Sequence, residues 1–127
     1  MPLNVKVETR AGGAYVIFLP DGSIDANTYT ALKVEVEQIL KSPPKLIIFD
    51  LERVSFVSSA GIGVVLNAEK QMKAAGGKAL LVNLKPHIKK VFDIVQAIPP
   101  GQVFLSVKEL DSYLAEMQRK VREGEDG

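Results

Sequence analysis

The sequence predicts a single-domain α/β fold: a mixed β-sheet, opened by an N-terminal antiparallel hairpin and continued by parallel strands, packed with about four α-helices. Three observations predict it. Apolar and polar residues alternate from Leu3 to Glu8, a second strand-like run spans Ala14 to Leu19, and Ala11-Gly12-Gly13 between them has the composition of a hairpin turn. Leu46 to Phe49 and Ala79 to Val82 are continuous apolar runs, which suit strands buried on both faces better than amphipathic ones. Stretches with helical spacing alternate with these runs, and such alternation after an initial hairpin implies that the later strands are parallel.

Taken in order, the hairpin is followed by Pro20-Asp21-Gly22, a break in the chain, and by a third short strand near Ser23-Ile24. Asp25 is placed as the N-cap of a helix whose apolar residues are Leu32, Val36, Ile39 and Leu40. Ser42-Pro43-Pro44 stops that helix, because a residue before proline avoids the helical region. The strand Leu46 to Phe49 ends at Asp50, and the chain turns through Val54 to Val57 into a second helix. Ser58 and Ser59 stand where that helix needs a cap. Ile62, Val65, Leu66 and Ala68 face inward on it, and Glu69, Lys70 and Lys73 face water. Gly76-Gly77 supplies a left-handed stop. After the strand Ala79 to Val82, Pro86 suits a first helical turn, with Ile88, Val91, Phe92 and Val95 as the inner stripe, and Pro99-Pro100-Gly101 closes it. Val103 to Leu105 reads as an edge strand. Ser106-Val107-Lys108-Glu109 then fits a capping box for a last helix carrying Val107, Leu110, Leu114, Met117 and Val121. That stripe is expected to be core, with a weak homodimer contact as its alternative role. The domain is expected over residues 1–118, with 119–127 as a frayed tail.

Composition narrows the function. The chain has 127 residues, 46% hydrophobic content and a formal net charge of +1, so one ordinary globular domain is expected and no direct nucleic-acid partner is indicated. With no cysteine, disulfides, cysteine-ligated zinc and thiol catalysis are excluded. No apolar run approaches the ~18 residues of a membrane span, and the first residues show no signal-peptide pattern, so a cytoplasmic location is expected.

The loops that leave the carboxyl ends of parallel strands form the usual binding face of such sheets, and the Ser58/Ser59 turn is one of them. A serine on a strand-to-helix turn raises the nucleophile elbow of hydrolases, Gly-x-Ser-x-Gly, with acid and then histidine later in the chain. Val57 occupies the first glycine position here, and the single histidine, His87, precedes Asp93. No catalytic residue is therefore assigned; His87, among Lys85, Lys89 and Lys90, reads as a solvated first-turn residue. Gly61-Ile62-Gly63 lacks the third glycine of a dinucleotide fingerprint, and no phosphate-binding loop occurs, so no cofactor is expected; the two glycines are read as allowing close packing. Asp50 lacks the paired acids that would hold magnesium beside a phosphoacceptor aspartate, and reads as a strand-end residue bonded to its loop. No metal site is expected.

The residues that remain resemble the STAS domain family, specifically its anti-sigma factor antagonists. The resemblance runs from about Leu3 to Met117. It is carried by Gly22-Ser23-Ile24-Asp25-Ala26, Ile48-Phe49-Asp50-Leu51, the stretch Val54-Ser55-Phe56-Val57-Ser58-Ser59-Ala60-Gly61-Ile62-Gly63, and Ser106-Val107, in this order. The resemblance implies a non-enzymatic protein that binds an anti-sigma factor, itself a serine kinase, and so releases a sigma factor. It further implies that the kinase phosphorylates Ser59, with Ser58 the less favoured acceptor, and that a metal-dependent phosphatase of the PP2C type reverses the modification. The partner-binding residues it implies are Asp25, Val57, Ser58, Ser59, Ala60, Gly61, Ile62 and Gly63. Two positions depart from the family pattern: Ser58 stands where many members have Asp, and Ala60 where some have Ser or Thr. The alternative is a STAS module of another system, such as a lipid-transport component or a signalling scaffold; a weak nucleotide-binding module is a second rival for which the sequence provides no cradle.

Overall fold

The computed structural model describes residues 3–95 and 103–104, with side chains as far as Phe92. Strand β1 (Asn4–Arg10) passes through a short 3-10 turn at Ala11–Gly13 into β2 (Tyr15–Ile24), and the two pair antiparallel with Arg10 opposite Tyr15. Backbone φ is 67° at Gly12 and 94° at Gly13, a region that glycine enters without a Cβ penalty.

Strand β2 is longer than its sequence suggests. Pro20-Asp21-Gly22 does not break it, and Ser23-Ile24 is its end instead of a separate strand. The reason is a change of partner. The first half of β2 pairs parallel with β3 (Leu46–Asp50) as far as Phe18, and its last residues pair parallel with β4 (Val54–Val57) from Gly22. Pro20 lies where β2 has left β3 and not yet met β4, so its missing N–H forfeits no bond to either. The register shifts between Gly22 and Ser23, and Gly22 has φ 126°.

Helix α1 (Tyr29–Leu40) also begins later than expected, with Thr28 at its N-cap position. Asp25 organises the turn before it: its Oδ1 accepts hydrogen bonds from the backbone N–H of Asn27 (2.8 Å) and of Thr28 (3.1 Å), and its carbonyl accepts from the Tyr29 N–H (2.9 Å). Asp25 is thus an Asx-turn residue one turn upstream of the helix it was expected to cap. Leu32, Val36 and Leu40 are buried, and Ile39 only half so.

Strand β4 was not legible as a strand. Val54 and Val57 are buried but Ser55 and Phe56, side by side between them, are both exposed, so the alternation that marks a strand is lost. Helix α2 (Ser59–Ala74) follows at once and ends in a Schellman motif, with Gly76 at φ 83° and the Gly77 N–H bonded to the Met72 carbonyl at 2.7 Å. Strand β5 (Lys78–Val82), helix α3 (Pro86–Val95) and the edge strand β6 (Val103–Phe104) complete the described chain. The strand order is β1-β2-β3-β5-β6, with β4 on the far end of β2, and every pair except β1·β2 is parallel.

Both faces of the sheet are buried, as the unbroken apolar runs require. On one face Phe18 stacks on Phe49 with ring centroids 5.5 Å apart, within a core that takes Leu32 and Val36 from α1, Val65 and Met72 from α2, and Ile88 and Phe92 from α3. Ile17, Leu46, Ile48, Leu80 and Val82 are buried on the other. Three α-helices lie among the described residues; the expected fourth helix with its capping box at Ser106, the expected stop at Pro99-Pro100-Gly101 and the expected tail at 119–127 fall outside them.

Candidate phosphorylation and partner-binding site

The start of α2 is fixed by the two strands beneath it. Ile24 of β2 and Val57 of β4 are opposite each other in parallel register, so Asp25 and Ser58 leave the sheet side by side at the carboxyl ends of their strands. The Ser58 N–H continues the ladder by donating to the Ile24 carbonyl at 2.8 Å. Ser58 itself is extended (φ −89°, ψ 175°), its side-chain oxygen accepts from the Gly61 N–H at 3.5 Å, and its carbonyl accepts from the Ile62 N–H at 3.0 Å. It is the N-cap of α2. Gly61 then sits against the strand ends: a Cβ built there would lie 2.6 Å from Ile24 Cγ2 and 3.0 Å from Val57 Cγ1, so no larger residue fits without movement.

This arrangement distinguishes the two adjacent hydroxyls. Ser58 is half-buried and occupied as a cap, whereas Ser59 is exposed at the first helical position. Amides of the first helical turn have no partner within the helix, and the dipole there favours negative charge, so a phosphate on Ser59 would meet a compatible field. The 3.5 Å cap contact is long, and Ser58→Ala is expected to cost about 0.5–1 kcal/mol of stability, measured by denaturant unfolding. With Ser59 as the expected acceptor, phosphate incorporation should survive in that variant; its loss would transfer the acceptor role to Ser58.

The eight residues expected at the binding face divide by burial. Ser59 and Gly63 are exposed, Asp25, Ser58 and Ala60 half-buried, and Val57, Gly61 and Ile62 buried beneath the turn. The two glycines have different roles. Gly61 is needed for packing against β2 and β4, while a Cβ at Gly63 would meet nothing within 4 Å. The expectation of close packing therefore holds for the first and fails for the second.

Several neighbours had no assigned role in the sequence. Phe56 is half-exposed three residues before Ser59, and the Ser23 and Ser55 hydroxyls meet at 3.1 Å. His87, expected to be merely solvated, is exposed but its Nε2 lies 2.9 Å from the Ser55 carbonyl, tying α3 to β4. A shared face of α1 and α2 carries Tyr29, Lys33, Glu37, Ala60, Gly63 and Asn67 around an open groove. The spacing of Tyr29, Lys33 and Glu37 on α1, four residues each, was the available signal for that half of the groove. Asp50 does bond its loop, through the Glu52 N–H and the Asn83 side-chain amide, both at 3.1 Å. Asp21 lies within β2 and faces Arg53 at 3.7 Å in an exposed pair. Among the described residues, no three His, Cys, Asp or Glu side chains gather as metal ligands, and no helix is long and apolar enough to cross a membrane.

The family model described as the STAS domain matches residues 4–110. The chain belongs to the STAS domain family. Its relatives include BtrV of Bordetella bronchiseptica, a protein assigned as an anti-sigma factor antagonist, at 33% identity over 58% of this chain and 63% of BtrV. The chain thus spans less than two thirds of BtrV's length. The anti-sigma F factor antagonist of Lysinibacillus sphaericus is 31% identical over 72% of this chain and 77% of its own length. Among solved structures, the STAS fold seen here matches unphosphorylated SpoIIAA, an anti-sigma factor antagonist, with a TM-score of 0.62 at 25% identity, covering 72% of this chain and 83% of that one. The phosphorylated form of SpoIIAA from Bacillus matches with a TM-score of 0.71 at 21% identity, covering 87% and 99% of the two chains.

Proposed function

We propose that this STAS chain is an anti-sigma factor antagonist, which binds an anti-sigma factor with serine-kinase activity and thereby releases a sigma factor, and that phosphorylation of Ser59 ends the binding. The chain is then a substrate of an enzyme with no chemistry of its own. The observation that carries this reading is the division of labour in the serine pair: Ser58 caps α2, and Ser59 lies exposed at the first helical position. Relatives named as antagonists, and a structural neighbour known in phosphorylated and unphosphorylated forms, support it.

The binding face in this reading is Ser59, Ala60 and Gly63 with Ser58 and Asp25 at its edge. Val57, Gly61 and Ile62 act from below, by holding the turn in place. Phosphorylation adds about −1.5 to −2 charges at pH 7. At the helix start the field favours that charge by roughly 0.3–2 kcal/mol, so the fold tolerates it. Inside a protein interface the same charge must be desolvated, at a cost on the order of several kcal/mol when it is unpaired. The interface effect is the larger, and the modification acts as a release switch. A PP2C-type phosphatase would restore binding, in the cytoplasm where sigma factors act.

The test is direct. The chain is incubated with candidate serine-kinase anti-sigma factors and ATP, and the product is mapped by mass spectrometry. The expected result is one phosphate, on Ser59, and loss of the complex on labelling. Absence of label from Ser59 with every such kinase, or a labelled chain that stays bound, would remove the proposal.

A further inference from the structure

Strand β1 closes one end of the sheet: β2 takes one of its edges, and among the described residues no strand takes the other. That open edge is seven residues long, Asn4–Arg10, with no proline, no glycine and no break in its register to β2, devices that commonly blunt such an edge. Its guard is charge. Cross-strand partners share a face, so the register places Lys6 and Glu8 on the side of Leu19 and Ile17, and Val5 and Val7 on the side of Pro20 and Phe18. Lys6 Nζ lies 3.3 Å from Glu8 Oε1, with the two side chains 73% and 39% exposed. An ion pair so open to water contributes little where it stands. Val5 and Val7 are only half-buried at this margin of the core.

The charges along β1 are self-complementary. When a second copy is laid antiparallel beside it with Val7 facing Val7, Lys6 of each copy meets Glu8 of the other, Val5 meets Thr9 and Asn4 meets Arg10. The two intrachain ion pairs then join in a ring of four alternating charges on one side of the sheet, and the valines meet on the other. A shift of two residues brings Lys6 opposite Lys6 or Glu8 opposite Glu8, which is unfavourable. A shift of one sets the charged side of one copy beside the valine side of the other. One partner in one register is thus selected. We propose that β1 is a self-association edge, and that two copies pair through it about a two-fold axis at Val7 to make one continuous sheet. A single strand edge buries less than a standard interface, so the dimer is weak and reversible. It does not depend on the role of Ser59.

Sedimentation velocity on the full chain, with a melting curve for each sample, tests this with Lys6→Glu, Glu8→Lys and the two variants mixed. Wild type should show a monomer–dimer equilibrium with a Kd of about 10 μM to 1 mM. In either variant alone both cross-strand charge pairs become like-charged, and Kd should rise about tenfold or more. Melting temperatures should stay within about 5 °C of wild type, because the exchanged charges face water. Mixed in equal amounts, the variants should dimerise as wild type does, since each acid again faces a base. A chain carrying both substitutions keeps every pair and should also dimerise like wild type, which covers the case of a single variant that melts early. A wild-type chain that stays monomeric at about 1 mM would overturn the proposal. So would a dimer that neither variant weakens, which would place the self-contact on another surface, or weakened variants that do not recover on mixing.

Discussion

Ser59→Asp is expected to lower affinity for the proposed kinase partner a few hundred-fold while leaving the melting temperature close to that of wild type. The two halves of that outcome have one cause seen in two settings. In the free chain the carboxylate sits on the first turn of α2, where orphan amides and the helix dipole favour it by about 0.3–1 kcal/mol. In the complex it must leave water, and without a partner charge the loss is on the order of 3–4 kcal/mol, which corresponds to a few hundred-fold in Kd. Ser59→Ala isolates the hydroxyl: it should bind like the unmodified chain and never be released by ATP. Titration calorimetry against the kinase, with a melting curve for each variant, decides the matter. Wild-type binding by Ser59→Asp would mean that charge at this turn is not what breaks the complex.

Gly61→Ala should be less stable than Gly63→Ala by about 1–3 kcal/mol, the usual cost of overpacking a well-filled core. Each substitution gives α2 the same gain in helix propensity, so the difference between them isolates the collision. At Gly61 the new methyl would lie 2.6 Å from Cγ2 and 3.1 Å from Cβ of Ile24, a β-branched side chain that is 1% exposed and has nowhere to turn. The helix start must then lift from the ends of β2 and β4. Because that movement carries Ser59 with it, Gly61→Ala should also slow labelling of Ser59 as the proposed acceptor, whereas Gly63→Ala, with nothing within 4 Å of its new methyl, should leave the turn in place. Denaturant midpoints for the two single variants measure the stability term. Equal midpoints would show that the strand ends yield freely and do not fix the turn.

Much of this could be read in the amino-acid order because it depends on local chemistry. The runs Leu46 to Phe49 and Ala79 to Val82 are buried on both sides, and a strand in that position has no polar face to show. The Schellman stop at Gly76-Gly77, the proline that opens α3 and the serine cap of α2 each need a particular residue at a particular place, so the residue announces the structure. The family markers from Val54 to Gly63 likewise single out the serine turn by residue type alone.

Other features depend on which segments meet, and no local pattern records that. Pro20 looks like a strand breaker, yet β2 continues through it because the chain changes partner from β3 to β4 at that point. The same exchange made β4 a strand in spite of its two adjacent exposed residues, and α1 starts past Asp25 because that side chain bonds the turn before the helix. Gly61 and Gly63 are indistinguishable as letters, and only the approach of Ile24 and Val57 to one of them separates a packing requirement from an open surface. By itself the sequence determined the family, the layered α/β architecture and the serine turn, since burial and capping follow from residue type. Tertiary structure alone decided that Ser58 is engaged and Ser59 presented, because the pairing of β2 with β4 sets where the strand ends and the helix begins.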